Sequence, residues 1–197
     1  MTRRQIVISL VIGGVAIAAG WAFMTALSRF LRSTEALPPA NPQVQQTAPA
    51  DAPAVPRIKA TLFFGSEDGG HLVPVEQESP LAEGRVAQAR ALVEAQLAAT
   101  PPDPLALTIP AGTQLRGLYI SDKNEAFVDL DDTVRAKHPG GSMNELLTVY
   151  TIVNVITTNL PDVQSVQLLI DGREVDTLAG HVDLRRPLRK NESLIRQ

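Results

Sequence analysis

The stretch from Gly141 to Gly172, GSMNELLTVYTIVNVITTNLPDVQSVQLLIDG, constrains the fold more than any other part of the chain. Apolar residues recur at Met143, Leu146, Leu147, Tyr150, Val153, Ile156 and Leu160, the three-and-four spacing of one buried helix face. Ser142 stands at the start as an expected N-cap, and Glu145 three residues later completes a capping box. Asn159 and Pro161 end the helix, because proline disfavours helical geometry in the residue before it and has no N–H for a further turn. Val166, Leu168 and Ile170 then share one face of a mostly buried strand that runs into a tight turn at Asp171-Gly172. One helix-to-strand unit is therefore written into these 32 residues.

Upstream, Arg57 to Phe64 (RIKATLFF) alternates as a strand and ends in the acidic, glycine-rich turn Gly65-Ser66-Glu67-Asp68-Gly69-Gly70. Leu72, Val73 and Val75 form a short return strand, and Pro74 within it argues for an edge position. Gly84 to Ala99 reads as a helix with Val86, Ala89, Leu92 or Val93, and Leu97 in its apolar stripe. Arg90 and Glu94 make an i,i+4 surface pair on it. The prolines at 101, 102 and 104 stop that helix. Gln114–Ile120 and Glu125–Leu130 flank Ser121-Asp122-Lys123-Asn124 with the spacing of a β-hairpin, and Gly117 breaks the alternation as a bulge would. The expected fold is α/β of the α+β type: a small mixed or antiparallel sheet packed against two helices.

The amino-terminal part has a different character. Ile6 to Leu27 is 22 residues without a charge, long enough as a helix to span roughly 30 Å of hydrocarbon. Arg3, Arg4, Arg29 and Arg32 close its ends. A cleaved signal peptide is the competing reading, since Ala16 and Ala18 are spaced like a cleavage site. Apolar character continuing through Trp21, Phe23, Met24 and Leu27 favours an uncleaved anchor with the bulk of the chain outside. Ser33 to Pro56 has six prolines in 24 residues and cannot bury enough area to fold, so it reads as a spacer. The expected organisation is an anchor at 1–32 (helix about 6–27), a Pro/Ala-rich linker at 33–56, a domain at 57–187 and a charged tail at 188–197 that frays.

Charge and composition exclude several function classes. From Arg57 onward 14 Lys or Arg stand against 19 Asp or Glu, a net of −5 and a poor match to nucleic acid. The one basic cluster, Arg185, Arg186, Arg189 and Lys190, fits a solvated tail. With no cysteine in the chain, thiolate metal sites, cysteine nucleophiles and an amino-terminal lipidated cysteine are all ruled out. The three histidines, His71, His138 and His181, lack metal-ligand spacing, and there is no phosphate loop, dinucleotide fingerprint or nucleophile elbow. Glu67 and Asp68 lack the ligand periodicity of a calcium loop. Ser142 after two glycines marks a place where an anion could lie, though a cap explains it. Asp129, Asp131 and Asp132 at a strand end form the one carboxylate cluster that could bind a cation or do acid–base work, and aspartates there also cap turns. No catalytic, cofactor-binding or metal residue is assigned.

The ordered set of pieces resembles the sporulation and spore-germination domain called GerMN. It comprises TLFF (61–64) with its acidic-glycine turn, LVPV (72–75), IPAGT (109–113), AFVDL (126–130), the Gly141–Gly172 unit and GHVDL (180–184). The resemblance covers about Lys59 to Arg186, in a single copy. It implies an extracytoplasmic, membrane-tethered, non-enzymatic module of a bacterial envelope, similar to ring-building domains that assemble protein complexes. The expected partners are the membrane and an envelope protein or a second copy, with no nucleic acid and no cofactor. The alternative is an envelope ligand- or cation-binding sensor or hydrolase using Asp129, Asp131 and Asp132 near Ser142, which requires a concave pocket holding at least two of those carboxylates.

Overall fold

A computed structural model describes residues 56–196, so the expected anchor helix and nearly all of the linker lie outside the described residues. Among the described residues no helix is long and apolar enough to cross a membrane. The elements are β1 (Arg57–Gly65), β2 (Leu72–Pro80), α1 (Arg85–Ala98), β3 (Leu115–Ile120), β4 (Glu125–Leu130), the one-turn α2 (Thr133–Ala136), α3 (Ser142–Asn159), β5 (Ser165–Ile170) and the two-residue β6 (Arg173–Glu174). A short 3-10 turn, Glu192–Leu194, closes the chain.

The strands make two sheets where a single one was expected. β1 and β2 form an antiparallel hairpin, while β3-β4-β5-β6 form a mixed sheet in which only the β4–β5 pair is parallel. Parallel neighbours need a long crossover, and α3 supplies it. Both long helices pack between the hairpin and the sheet: α3 touches β1, β5 and α1, and α1 touches β1, β2 and β3. Ala126, Val128, Leu130, Val166, Leu168 and Ile170, from β4 and β5, present one apolar face to this helical layer and are all buried. The α+β class with a small mixed sheet on two helices is what the sequence led us to expect.

The hairpin is joined to the rest by side-chain amides. Gln96 of α1 accepts from the Phe63 N–H and donates to the Phe63 carbonyl, both at 2.8 Å. Asn159 at the end of α3 does the same for Thr61, again at 2.8 Å each way. Gly65 exchanges both of its main-chain bonds with Ala106. Thr61, Phe63 and Gly65 have backbones that point away from β2, so this edge of β1 is paired from Thr61 to Gly65 without a neighbouring strand. The same requirement redraws the α1 stripe. Gln88 and Gln96 are buried within it because their amides bond main chain, while Val86, expected in the core, is 41% exposed.

Three other expectations change. β2 is nine residues long, with Pro74 on its open edge. The hydroxyl of Ser142 caps nothing: Gly141, at φ 88°, precedes the first turn of α3, and the Glu145 carboxylate turns inward to a distant loop, so there is no capping box. The tail from Leu188 does not fray. Leu188 exchanges two 2.8 Å bonds with Val166, Leu194 is buried, and Arg196 N–H donates to the Leu72 carbonyl. Charge alone suggested fraying, but Leu188 and Ile195 pack against the core and Leu194 is itself buried. The i,i+4 pair Arg90–Glu94, the hairpin turn at Ser121–Asn124 and the register shift beside Gly117 are all present.

Two stability predictions follow from these contacts. Gln96→Ala leaves the buried Phe63 N–H and carbonyl unpaired and should cost about 2–4 kcal/mol in urea denaturation, whereas Arg90→Ala removes only an exposed pair and should cost no more than about 0.5 kcal/mol. Removing residues 188–197 strips the Val166 pairing and the Leu194 anchor. It should lower the melting midpoint clearly; an unchanged midpoint would show that the segment is not docked.

Candidate functional site

The Asp129, Asp131 and Asp132 cluster disperses in three dimensions. Asp129 Oδ1 accepts from Gly172 N–H at 2.7 Å, tying the end of β4 to the β5–β6 turn. Asp131 accepts from Gln114 N–H at 2.7 Å and from the Thr133 hydroxyl. Its carboxyl sits below the ordinary value: burial pushes it up, and the Thr133 and Gln114 hydrogen bonds together outweigh that. Asp132 pairs with Arg135 one turn on, at 3.2 Å. Only Asp132 reaches a nearby cavity of about 350 Å³, whose other charged groups are Arg135, Asp171, Arg173 and Glu174. Asp171 there is already paired with Arg116 at 2.8 Å. Among the described residues no three His, Asp or Glu side chains are grouped to hold a metal ion. These carboxylates terminate β4 and fasten its turn.

The strongest electrostatic arrangement is one the sequence reading missed. Glu145, in the first turn of α3, has no exposed surface. Its Oε1 accepts from Leu178 and Ala179 N–H, both at 2.8 Å, and its Oε2 from His181 N–H at 2.8 Å and His181 Nδ1 at 3.0 Å. An ionised carboxylate only accepts, so the His181 proton facing it sits on Nδ1. Burial is the largest single influence on this carboxyl and pushes it up. The N–H groups of Ala179 and His181, with the imidazole, more than offset that and hold it below its ordinary value of 4.5. The result is a clamp between α3 and the Leu178–His181 loop. Its partners lie 33 to 36 residues downstream, so no local pattern could have revealed it.

The other histidines are structural. His138 Nδ1 accepts from Gly140 N–H at 3.0 Å, which leaves Nε2–H to donate to the Thr148 hydroxyl at 3.2 Å. His71 uses its main-chain N–H, which donates to Ser66 Oγ at 3.1 Å. In the same turn Asp68 accepts from the Ser66 hydroxyl and from Gly70 N–H, which hold its carboxyl below the usual range, so the acidic-glycine stretch is a hairpin turn. In the basic cluster Arg185 is held bidentate by Asp183, at 2.9 and 2.8 Å, and Lys190 pairs with Glu192 at 3.2 Å.

What the surface does offer is apolar. Leu81, Val86, Leu107, Tyr119 and Met143 are all exposed. Leu107 lies on a groove of about 360 Å³ formed with Ile109, Pro110, Pro139 and Leu147. Apart from Met143, α3 keeps its apolar side chains covered.

Glu145→Gln tests the clamp. An amide brings one acceptor oxygen and an NH2 donor against four N–H groups, so it should cost about 2–4 kcal/mol. The sign with pH is fixed, because the folded-state value is below the unfolded one. Glu145 therefore contributes its stability fully above 4.5 and loses it as pH falls through the lowered folded value. Denaturation midpoints measured from pH 7 downward should drop more steeply in the wild type than in Glu145→Gln; parallel curves would show that Glu145 is not held ionised.

Comparison with known proteins agrees with this architecture. The family model described as "Germane: Sporulation and spore germination" matches residues 61–176. A search of curated proteins finds no match. Among solved structures, the tandem GerMN domains of the sporulation protein GerM from Bacillus subtilis align with a TM-score of 0.53 at 18% identity, over 68% of this chain and 46% of that one. The first GerMN domain of the same protein aligns at 0.50 and 16%, over 68% and 96%. A predicted lipoprotein from Clostridium perfringens aligns at 0.49 with 25% identity, over 71% and 91%. The 46% share is what one of two tandem domains would give, and this chain carries a single copy. By the match over 61–176, the chain belongs to the Germane family of sporulation and spore-germination domains, in the GerMN fold.

Proposed function

We propose that this protein is a membrane-tethered, extracytoplasmic interaction or assembly module of a bacterial envelope, without catalytic activity of its own. Family membership over residues 61–176 carries the reading. The uncharged run Ile6–Leu27 serves as the single-pass anchor, and the proline-rich spacer after it sets the domain off the bilayer. The chemistry of the domain agrees. Its buried side chains Glu145, Gln96 and Gln167 and the half-buried Asn159 hold one element to another, Asp129 and Asp131 accept from main-chain N–H groups, and Asp132 pairs with Arg135. Large apolar side chains remain at the surface, where partner proteins find them.

A photoreactive residue placed in turn at Leu81, Val86, Leu107, Tyr119 and Met143 of the full chain tests this in membranes of the native host. The expected result is a discrete protein adduct from one or two neighbouring positions, in the membrane fraction, with the domain open to protease added from outside. A chain recovered from the soluble fraction with no adduct at any position would sink the reading.

A further inference from the structure

Each sheet edge in the described residues is closed, short or guarded by charge except one. β6 is two exposed charged residues long. The outer edge of β1 is paired by Asn159, Gln96 and Ala106 from Thr61 to Gly65 and carries the charged Arg57 and Lys59 before that. That of β2 carries Pro74 and Pro80, with the exposed ion pairs Lys59–Glu76 and Arg57–Glu78 beside them, the usual devices against edge pairing. The far edge of β5 is taken by β6 and by Leu188. β3, LRGLYI, has neither proline nor acidic residue and a single positive charge. Ser121 N–H donates to the Glu125 carbonyl, which fixes the odd-numbered residues of the hairpin as those bonded to β4. The N–H and carbonyl groups of Leu118 and Ile120 therefore point outward, and no described residue pairs with them.

We propose that β3 pairs antiparallel with β3 of a second copy, about a twofold axis through Tyr119, with Leu118 of each chain opposite Ile120 of the other. This names the partner under the assembly reading and rests on it. The register follows from the residues. It is the one in which Leu118 and Ile120 exchange all their outward main-chain bonds, four across the axis. A one-residue slip would turn the covered face of each strand outward. Charge agrees with it: Arg116, held at 2.8 Å by Asp171 of its own chain, comes opposite Asp122, exposed in the turn at the other end of the second copy, and the symmetry repeats the match. Shifting the centre to Leu118 or to Ile120 loses that match. The two Tyr119 rings, each 59% exposed and already beside its own Phe127, would meet across the axis and lengthen the aromatic row.

The chain has no cysteine, so one introduced residue reports on the pairing. In this register the two 119 positions form a non-hydrogen-bonded pair with Cα atoms roughly 4.5 Å apart, within disulfide reach. Tyr119→Cys in the full chain, in native membranes under mild oxidant, should give a homodimer about ten-fold faster than Glu78→Cys on the guarded β2 edge, because a held pair reacts at high effective concentration. Asp122→Lys, a change in an exposed turn that leaves folding intact, sets like charges opposite Arg116 and should slow the Tyr119→Cys crosslink about three- to five-fold. Leu118→Pro removes an outward N–H and should abolish it, with circular dichroism confirming the fold. Equal rates at 119 and 78, or a crosslink untouched by both second-site changes, would overturn the proposal. So would Tyr119→Cys joining a different protein, which would leave the assembly reading standing. Failure of that reading is seen separately, as the absence of photo-adducts at every exposed apolar position.

Discussion

Two side-chain amides hold this domain together where a strand would be expected. β1 is buried from Leu62 to Gly65, yet only β2 pairs with it as a strand. Buried main-chain groups must find partners, and those of Thr61 and Phe63 find Asn159 and Gln96. An amide that accepts from one N–H and donates to the carbonyl of the same residue copies the pattern of an antiparallel neighbour. It also fixes where each helix lies along the strand. The end of α3 is set at Thr61 and the last turn of α1 at Phe63, so both helices are registered against the hairpin before any apolar packing is considered. With α3 placed there, its other side must cover Val166, Leu168 and Ile170, and the sheet takes its position from that.

The opposite end of α3 is fastened by charge. A helix amino terminus favours an acid, but Glu145 does more than offset the dipole: it gathers the main chain of Leu178, Ala179 and His181 around a carboxylate with no water contact. Leaving such a charge without partners would be costly, so the loop and the helix stabilise each other or neither is in place. The consequence travels along the chain. With the loop held, Leu178 and Leu184 reach the core and the Leu184 carbonyl meets the Gln167 amide; Leu188 then lies beside Val166. Glu145 and Gln167 are thereby spent on the construction of the domain.

What could be read from sequence was local or periodic. The helix at 142–159, the strand after it, the Ser121–Asn124 turn and the irregularity at Gly117 each show in a window of a few residues. The missed features share a different physics. Gln88 and Gln96 look like surface residues of α1, and nothing within α1 says that the backbone at Pro80 and Ala82 needs the first and that of Phe63, 33 residues earlier, the second. Ser142 and Glu145 match a capping box so well that the local pattern hid a longer-range bond that outcompetes it. The tail looked like a charged end because Arg189, Lys190, Glu192 and Arg196 lie within it, and only the fold shows that Leu194 is buried. The carboxylate cluster misled in the opposite sense. Closeness in sequence at a strand end does not bring side chains to one point: Asp129 and Asp131 each accept from a different main-chain N–H, and Asp132 turns to Arg135.

A domain built this way carries implications for the order of assembly. The proposed pairing through β3 is isologous: each copy uses the one unguarded edge among its described residues, and the contact closes at two. The other sheet edges among the described residues discourage further addition: β1 is paired by amides at Thr61 and Phe63, β2 is guarded by prolines and charge, and β6 is two charged residues long. Growth beyond a pair, of the ring-building kind that the family resemblance suggested, would therefore need a second surface of another type. The groove at Leu107, with Ile109 and Leu147 along it, is formed by loop and helix side chains and does not involve the β3 edge. An apolar groove of that size takes up a side chain or a short segment, without extending a sheet. Division of labour between one self-complementary edge and one receptive groove would let the same small domain pair with its own kind and hold a different protein, with neither contact excluding the other.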